Sequence, residues 1–112
     1  MTLAQREHGA VTIIDFSGEL KAREAQAAKD ELLAVIAAGR TRLVFNLEKV
    51  SFMSSAGLGL LGVTHKHLQA CGGKLVVLKP QAKIMEVITL TRLHEVLTIV
   101  ADEAAALTAA AA

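Results

Sequence analysis

The sequence predicts an α/β fold: a single domain with a mixed, mostly parallel sheet. Three observations lead there. The runs VTIIDF, RLVFNL and KLVVL are short, apolar and β-rich, as buried strands are. Segments with apolar residues at the helical period alternate with them. The 112 residues carry no Ser/Pro-rich linker and no repeat, and a chain of this length buries about two-thirds of its unfolded surface as one domain. Strands alternating with helices imply parallel pairing through crossovers, and a hairpin at the front makes the sheet mixed.

The elements follow in order. A weak strand near Thr2–Glu7 precedes Val11–Phe16, which is expected to stop at the turn signal Ser17-Gly18. Lys21–Ala38 reads as a helix, with Ala25, Ala28, Leu32, Val35 and Ile36 in one stripe and Gly39 as its stop. Arg42–Leu47 is a buried strand followed by a brief loop. Ala56–Cys71 reads as the second helix, closed by Gly72-Gly73, and Lys74–Leu78 as the next strand. Pro80 suits the first turn of a third helix reaching about Thr89, with Ile84, Val87 and Ile88 inward. Val96–Val100 is the last strand, and Asp102 and Glu103 favour the start of a terminal helix. The tail, Ala109–Ala112, is expected to fray. The total is four to five strands and about four helices.

Composition narrows the function. Hydrophobic residues make up 53% and charged residues 21%, enough to fill a core. Aromatic residues are only 3%, with no Trp or Tyr, which argues against stacking on sugars or single-stranded nucleic acid. The net charge of +1 comes from 12 basic and 11 acidic residues mixed along the chain, so no basic block exists to neutralise a phosphate backbone and no nucleic-acid partner is expected. Cys71, the sole cysteine, cannot form an internal disulfide and is expected to be a small buried hydrophobe in a reducing compartment. Arg6 and Glu7 stand where a signal peptide would need apolar residues, and the stretch Ala10–Ile14 stops at Asp15. Val50–His67 is broken by serines, glycines and Lys66 and falls short of the roughly 18–20 apolar residues of a membrane span. The expectation is a cytoplasmic protein without membrane insertion.

The informative segment is Val50–Gly62, VSFMSSAGLGLLG. It leaves a strand, places Ser54 and Ser55 together and enters a helix. Serine is a preferred N-cap because its side-chain oxygen accepts a bond from a free amide of the first turn, and either serine could fill that role. If Ser55 caps, its hydroxyl sits at the helix mouth, where the strand ends meet solvent. A helix start favours negative charge by about 0.3–1 kcal/mol, so a phosphate adding about −1.5 to −2 charges there need not unfold the domain. Ser55 is therefore a candidate phosphoacceptor, with Ser54 as the alternative.

Gly57-Leu58-Gly59-Leu60-Leu61-Gly62 is a literal G-x-G-x-x-G. A dinucleotide fingerprint needs its first glycine at the strand-to-helix turn and an acidic residue about 20 positions on. Here the glycines lie inside the helix and KLVVL is followed by Lys79, so no nucleotide cofactor is expected. Each internal glycine costs about 1 kcal/mol of helix propensity, which implies close approach to the sheet or to a partner. The nucleophile elbow G-x-S-x-G is absent, because Met53 and Phe52 stand two residues before the serines. His65 lies about 15 Å along the helix from Ser55, too far for a proton relay. His65 and His67 point to different faces, and His8 and His94 have no recognisable partners. No catalytic residue, metal site or cofactor is expected.

The run from Arg42 through Leu107, centred on VFNLEKVSFMSSAGLGLL, with Gly18-Glu19-Leu20, Gly72-Gly73 and Pro80 as supporting matches, resembles the STAS domains of bacterial anti-sigma factor antagonists over nearly the whole chain. The resemblance implies one STAS domain over residues 1–112, with helices mainly on one side of the sheet. It implies partner switching: the unphosphorylated protein binds an anti-sigma factor that is itself a serine kinase, phosphorylation of the serine at the mouth of the second helix breaks that complex, and a phosphatase restores it. The acceptor position falls on Ser55. The partner-binding face implied is Met53, Ser54, Ala56, Gly57 and Leu58, with Gly18, Glu19, Leu20 and Lys21 beside them. Two positions depart from the family, which carries Asp where this chain has Ser54 and favours Asp where it has Lys21. An alternative role within the family is a constitutive adaptor subunit that docks on a lipid-transport ATPase or serves in a stress-signalling scaffold.

Overall fold

A computed structural model describes all residues, 1–112. The chain opens with a hairpin: β1 (Thr2–His8) pairs antiparallel with β2 (Val11–Leu20) across a two-residue turn, where Gly9 supplies the positive φ of 61°. Then follow α1 (Ala22–Ala37), β3 (Arg42–Met53), α2 (Ser55–Ala70), β4 (Lys74–Leu78), α3 (Ala82–Leu90), a short 3₁₀ turn (Leu93–Glu95), β5 (Thr98–Val100) and α4 (Glu103–Ala111). The strands lie in the order β1-β2-β3-β4-β5, and every pair after the hairpin is parallel.

Both faces of the central strands are buried, which is why they read as continuous apolar runs. On one face Ile14, Phe16, Leu43, Phe45, Leu47, Leu75 and Val77 meet α1, α2 and α3. Phe16 and Phe45 pack there with ring centroids 4.9 Å apart. On the other face Val11, Ile13, Val44, Val76 and Leu78 are covered by Ala106 and Ala110 of α4. Three helices on one face and one on the other match the expected arrangement.

Several expected boundaries move. β2 does not stop at Ser17-Gly18 but runs on to Leu20. Gly18, at φ 112°, lies within the strand, where a Cβ would come within 3.3 Å of Met1 Cα. β3 likewise continues to Met53, with no loop after Leu47. Its inward residues are Leu43, Phe45, Leu47, Val50 and Met53, a spacing of two, two, three and three. The two long steps are bulges, seen as register shifts opposite Asp15/Ser17 and Gly18/Glu19, and bulges re-aim side chains and increase twist. Pro80 stands before the N-cap Gln81, not in the first turn of α3. β5 is shorter than expected because Val96 and Leu97 bond back to the Leu93 carbonyl.

The tail does not fray as expected. α4 is helical through Ala111, Ala110 is fully buried, and Arg42 donates to the carbonyls of Ala110 (2.9 Å) and Ala112 (2.7 Å). A cation at the carbonyl end of a helix is favoured by the helix dipole. Cys71 is exposed, not buried. α2 ends at Ala70, which makes Cys71 its C-cap at the solvent-facing end.

Candidate functional site at the mouth of the second helix

The end of β3 and the start of α2 fix the two serines differently. Ser54 has extended backbone (φ −79°, ψ 175°), and its Oγ accepts from the Gly57 amide at 3.3 Å. Its own N–H donates to the Leu20 carbonyl (2.9 Å), and its carbonyl accepts from the Leu58 amide (3.0 Å). Ser54 is therefore the cap, half-buried and occupied. Ser55 is the first residue of the helix and is exposed. The first turn of α2 holds no acidic residue, so no side chain of the helix itself offsets the positive end of its dipole.

The residues expected to form a partner face divide into two layers. Ser55, Glu19 and Lys21 are exposed, and Ala56, Ser54 and Gly18 are partly so. Glu19 and Lys21 form an ion pair at 3.4 Å. Leu20 (0%), Met53 (6%), Gly57 and Leu58 (9%) are buried. Those four support the site from beneath and do not face a partner. The cause is the strand register: Leu20 pairs with Met53, and both turn into the core under α2.

The glycines divide the same way. A Cβ on Gly57 would lie 2.6 Å from Met53 Cγ and 3.1 Å from the Leu20 side chain, so close approach to the sheet demands glycine there. Gly59 and Gly62 have nothing within 4 Å of such a Cβ. Gly59 and Gly62 sit inside α2, away from the strand-to-helix turn, and the Gly57 amide in the first turn is already bonded to Ser54 Oγ.

Phe52 precedes the serine pair at the end of β3. It lies beside Glu19 in the strand register and is 46% exposed. The signal available was the apolar spacing of β3, in which Val50 and Met53 turn inward and leave Phe52 between them outside.

Chemistry elsewhere is self-contained. The largest cavity, about 480 Å³, lies on the sheet face beside the start of α4 and is lined by Arg6, Asp15, Asn46, Lys49, Lys79 and Glu103 among others. Arg6 binds Asp15 through two bonds (2.6 and 3.0 Å) and Glu103 through one (2.8 Å), and Asn46 donates to Asp15 (2.8 Å). The Arg6 hydrogen bonds hold the Asp15 and Glu103 carboxyls below the usual carboxylate range. These groups satisfy one another. His8, His67 and His94 are exposed and His65 is half-buried. No group of three His, Cys, Asp or Glu side chains is placed to hold a metal, and no helix is long and apolar enough to cross a membrane.

The STAS domain family model matches residues 2–106. The chain belongs to the STAS domain family. An anti-sigma F factor antagonist of Lysinibacillus sphaericus is 32% identical over 76 residues, which cover 67% of this STAS domain and 65% of that relative. The chain thus matches just under two-thirds of that relative's own length. The crystal structure of an anti-sigma factor antagonist from Mycobacterium paratuberculosis superposes with a TM-score of 0.87 at 29% identity, covering 99% of this chain and 94% of that one. The Bacillus cell fate determinant SpoIIAA in its phosphorylated form shares the fold, with a TM-score of 0.74 at 24% identity over 93% of this chain and 96% of that one.

Proposed function

We propose that this STAS domain is an anti-sigma factor antagonist working by phosphorylation-controlled partner switching. With Ser55 free it binds an anti-sigma factor and so releases a sigma factor. That anti-sigma factor is a serine kinase, which phosphorylates Ser55 and thereby frees itself. A phosphatase removes the phosphate and resets the cycle. The partners and the ATP they consume place the protein in the bacterial cytoplasm, and the domain contributes a surface rather than catalysis.

The observation that carries this reading is the division of labour between the serines. Ser54 makes the cap, so the Ser55 hydroxyl is left in solvent at the mouth of α2. A kinase needs such a hydroxyl, and a dianion placed there meets a helix start that tolerates it. The relatives named as anti-sigma factor antagonists support the partner class. His65, ten residues along α2, is about 15 Å away by helical rise, too far to act as a base on Ser55.

The test is incubation with the anti-sigma factor kinase of the same genome and ATP, followed by intact mass and peptide mapping. One phosphate on Ser55, absent in Ser55→Ala, with loss of the complex on phosphorylation, is the expected result. Phosphate on Ser54 instead, or co-purification with a transporter ATPase and no kinase, would overturn it.

A further inference from the structure

We propose that Lys21 is the cation that holds the phosphate of Ser55: the Glu19–Lys21 ion pair opens when Ser55 is modified, and the Lys21 ammonium transfers to the phosphate. The inference rests on the switching reading above and deepens it by naming the side chain that responds to the modification.

The join of β2 and β3 brings the two residues together. Leu20 and Met53, the last residues of the strands, are register partners, and neighbouring strands lie about 4.8 Å apart. One residue on, the Ser54 amide donates at 2.9 Å to the Leu20 carbonyl, which belongs to the peptide bond joining Leu20 to Lys21. Lys21 is the N-cap of α1 as Ser54 is the N-cap of α2. Ala22 and Ala56, which follow Lys21 and Ser55, line one groove between the two helices. Two helix starts therefore lie side by side, with Lys21 at one and Ser55 at the other.

Lys21 is loosely engaged where it stands. A lysine side chain offers no acceptor to a helix start, and Lys21 makes no capping bond. A cation there also opposes the helix dipole. Its one ionic partner is Glu19, at 3.4 Å, in a pair whose side chains are both more than half exposed. Exposed pairs of this kind are weak, whereas a phosphate offers the same ammonium about −1.5 to −2 charges and three acceptor oxygens.

No other side chain competes for the role. From Val50 to Thr64 the chain has no charged residue and no histidine. Arg23 and Glu24 line a hollow with Met1 and Leu3, on the side of α1 away from α2. Lys29 lies two turns along α1 from Ala22. The Met1 amino group packs at Gly18, on the β1 side of β2. Transfer of Lys21 to the phosphate leaves the Glu19 carboxylate bare, so the partner meets a change at two positions instead of one.

Full-length chain phosphorylated at Ser55 is titrated by ³¹P NMR as wild type, Lys21→Gln, Lys21→Arg and Glu19→Gln. The second ionisation of a phosphoserine ordinarily falls near about 6, and a nearby cation lowers it by favouring the dianion. Lys21→Gln should therefore raise it by about half a pH unit, the size of one close charge contact in water. Lys21→Arg should restore the wild-type value, and Glu19→Gln, which leaves Lys21 uncontested, should lower it further. Both helix starts remain in every variant, so the differences report the side chains. If Lys21→Gln titrates within about 0.2 pH units of wild type, the clamp fails while the switching reading stands. If the kinase places no phosphate on Ser55, both fail.

Discussion

Leu20, Met53, Gly57 and Leu58 lie beneath the mouth of α2, out of water and packed on one another, while Ser55 and Gly59 lie above it in solvent. Leu20 apart, the two sets interleave between Met53 and Gly59. The lower set closes the join between β2, β3 and α2, through the Leu20–Met53 pairing and the glycine that lets the helix approach the sheet. The upper set makes no intramolecular bond with its side chains, and Gly59 has open space where a Cβ would go. Fold stability and recognition are thus carried by different residues of one segment, which is the arrangement a phosphorylation switch requires. Charge can be added above without disturbing what lies below.

The largest test of that separation is Gly57→Ala. Overpacking typically costs about 1–3 kcal/mol, and the gain in helix propensity returns about 1 kcal/mol. A net loss of up to about 2 kcal/mol in urea unfolding is expected, because the new methyl meets Met53 Cγ. No loss would mean that the flexible Met53 chain moves aside and the lower layer is less rigid than drawn. Next in size is Ser54→Ala, which removes the bond to the Gly57 amide and should cost about 1 kcal/mol, whereas Ser55→Ala should leave stability unchanged. Equal losses in the two alanine variants would erase the distinction between cap and acceptor. Gly59→Ala reverses the sign. Its methyl enters open space, so the helix should gain up to about 1 kcal/mol, and any stability loss there would show an unseen constraint on the upper surface.

How much of this was legible in the sequence depends on which force decided each feature. Helix α1 was legible because its apolar stripe of Ala25, Ala28, Leu32 and Val35 repeats at the period that burial demands. β4 was legible from the apolar run Leu75–Leu78 that follows Lys74. The extension of β3 past Leu47 was not, since two bulges break the alternation that marks a strand and make Glu48-Lys49 and Ser51-Phe52 look like loop. Gly18 misled for a related reason: it serves a strand irregularity and a close approach of Met1, where a turn was read. The order at the tail depends on Arg42, 68 residues from Ala110, and no local pattern reports a partner so distant. Of the site, the serine pair at a helix start could be read directly. Which serine caps could not, because that follows from the Ser54 amide pairing with Leu20 on another strand. The register of the same two strands sends Leu20 and Met53 inward, where the family resemblance implied a place on the partner face.

The smallest effect expected is also the most diagnostic. Ser55→Asp places a carboxylate at the first position of α2, where no acidic residue now stands. An anion at a helix start is stabilising, and at an exposed position the gain should be roughly a few tenths of a kcal/mol. The same substitution puts charge at the exposed helix start proposed to enter the complex, so partner binding should fall. Stability and affinity therefore move in opposite directions from one side chain. The stability gain should shrink as salt is raised, since an exposed charge interacts through a screened field with a range of about 8 Å at physiological ionic strength. A loss of stability with unchanged affinity would contradict both expectations and give Ser55 the structural role assigned to Ser54. A variant that melts at or slightly above wild type, yet no longer holds the anti-sigma factor, locates the switch in the surface and leaves the packing under α2 as its fixed support.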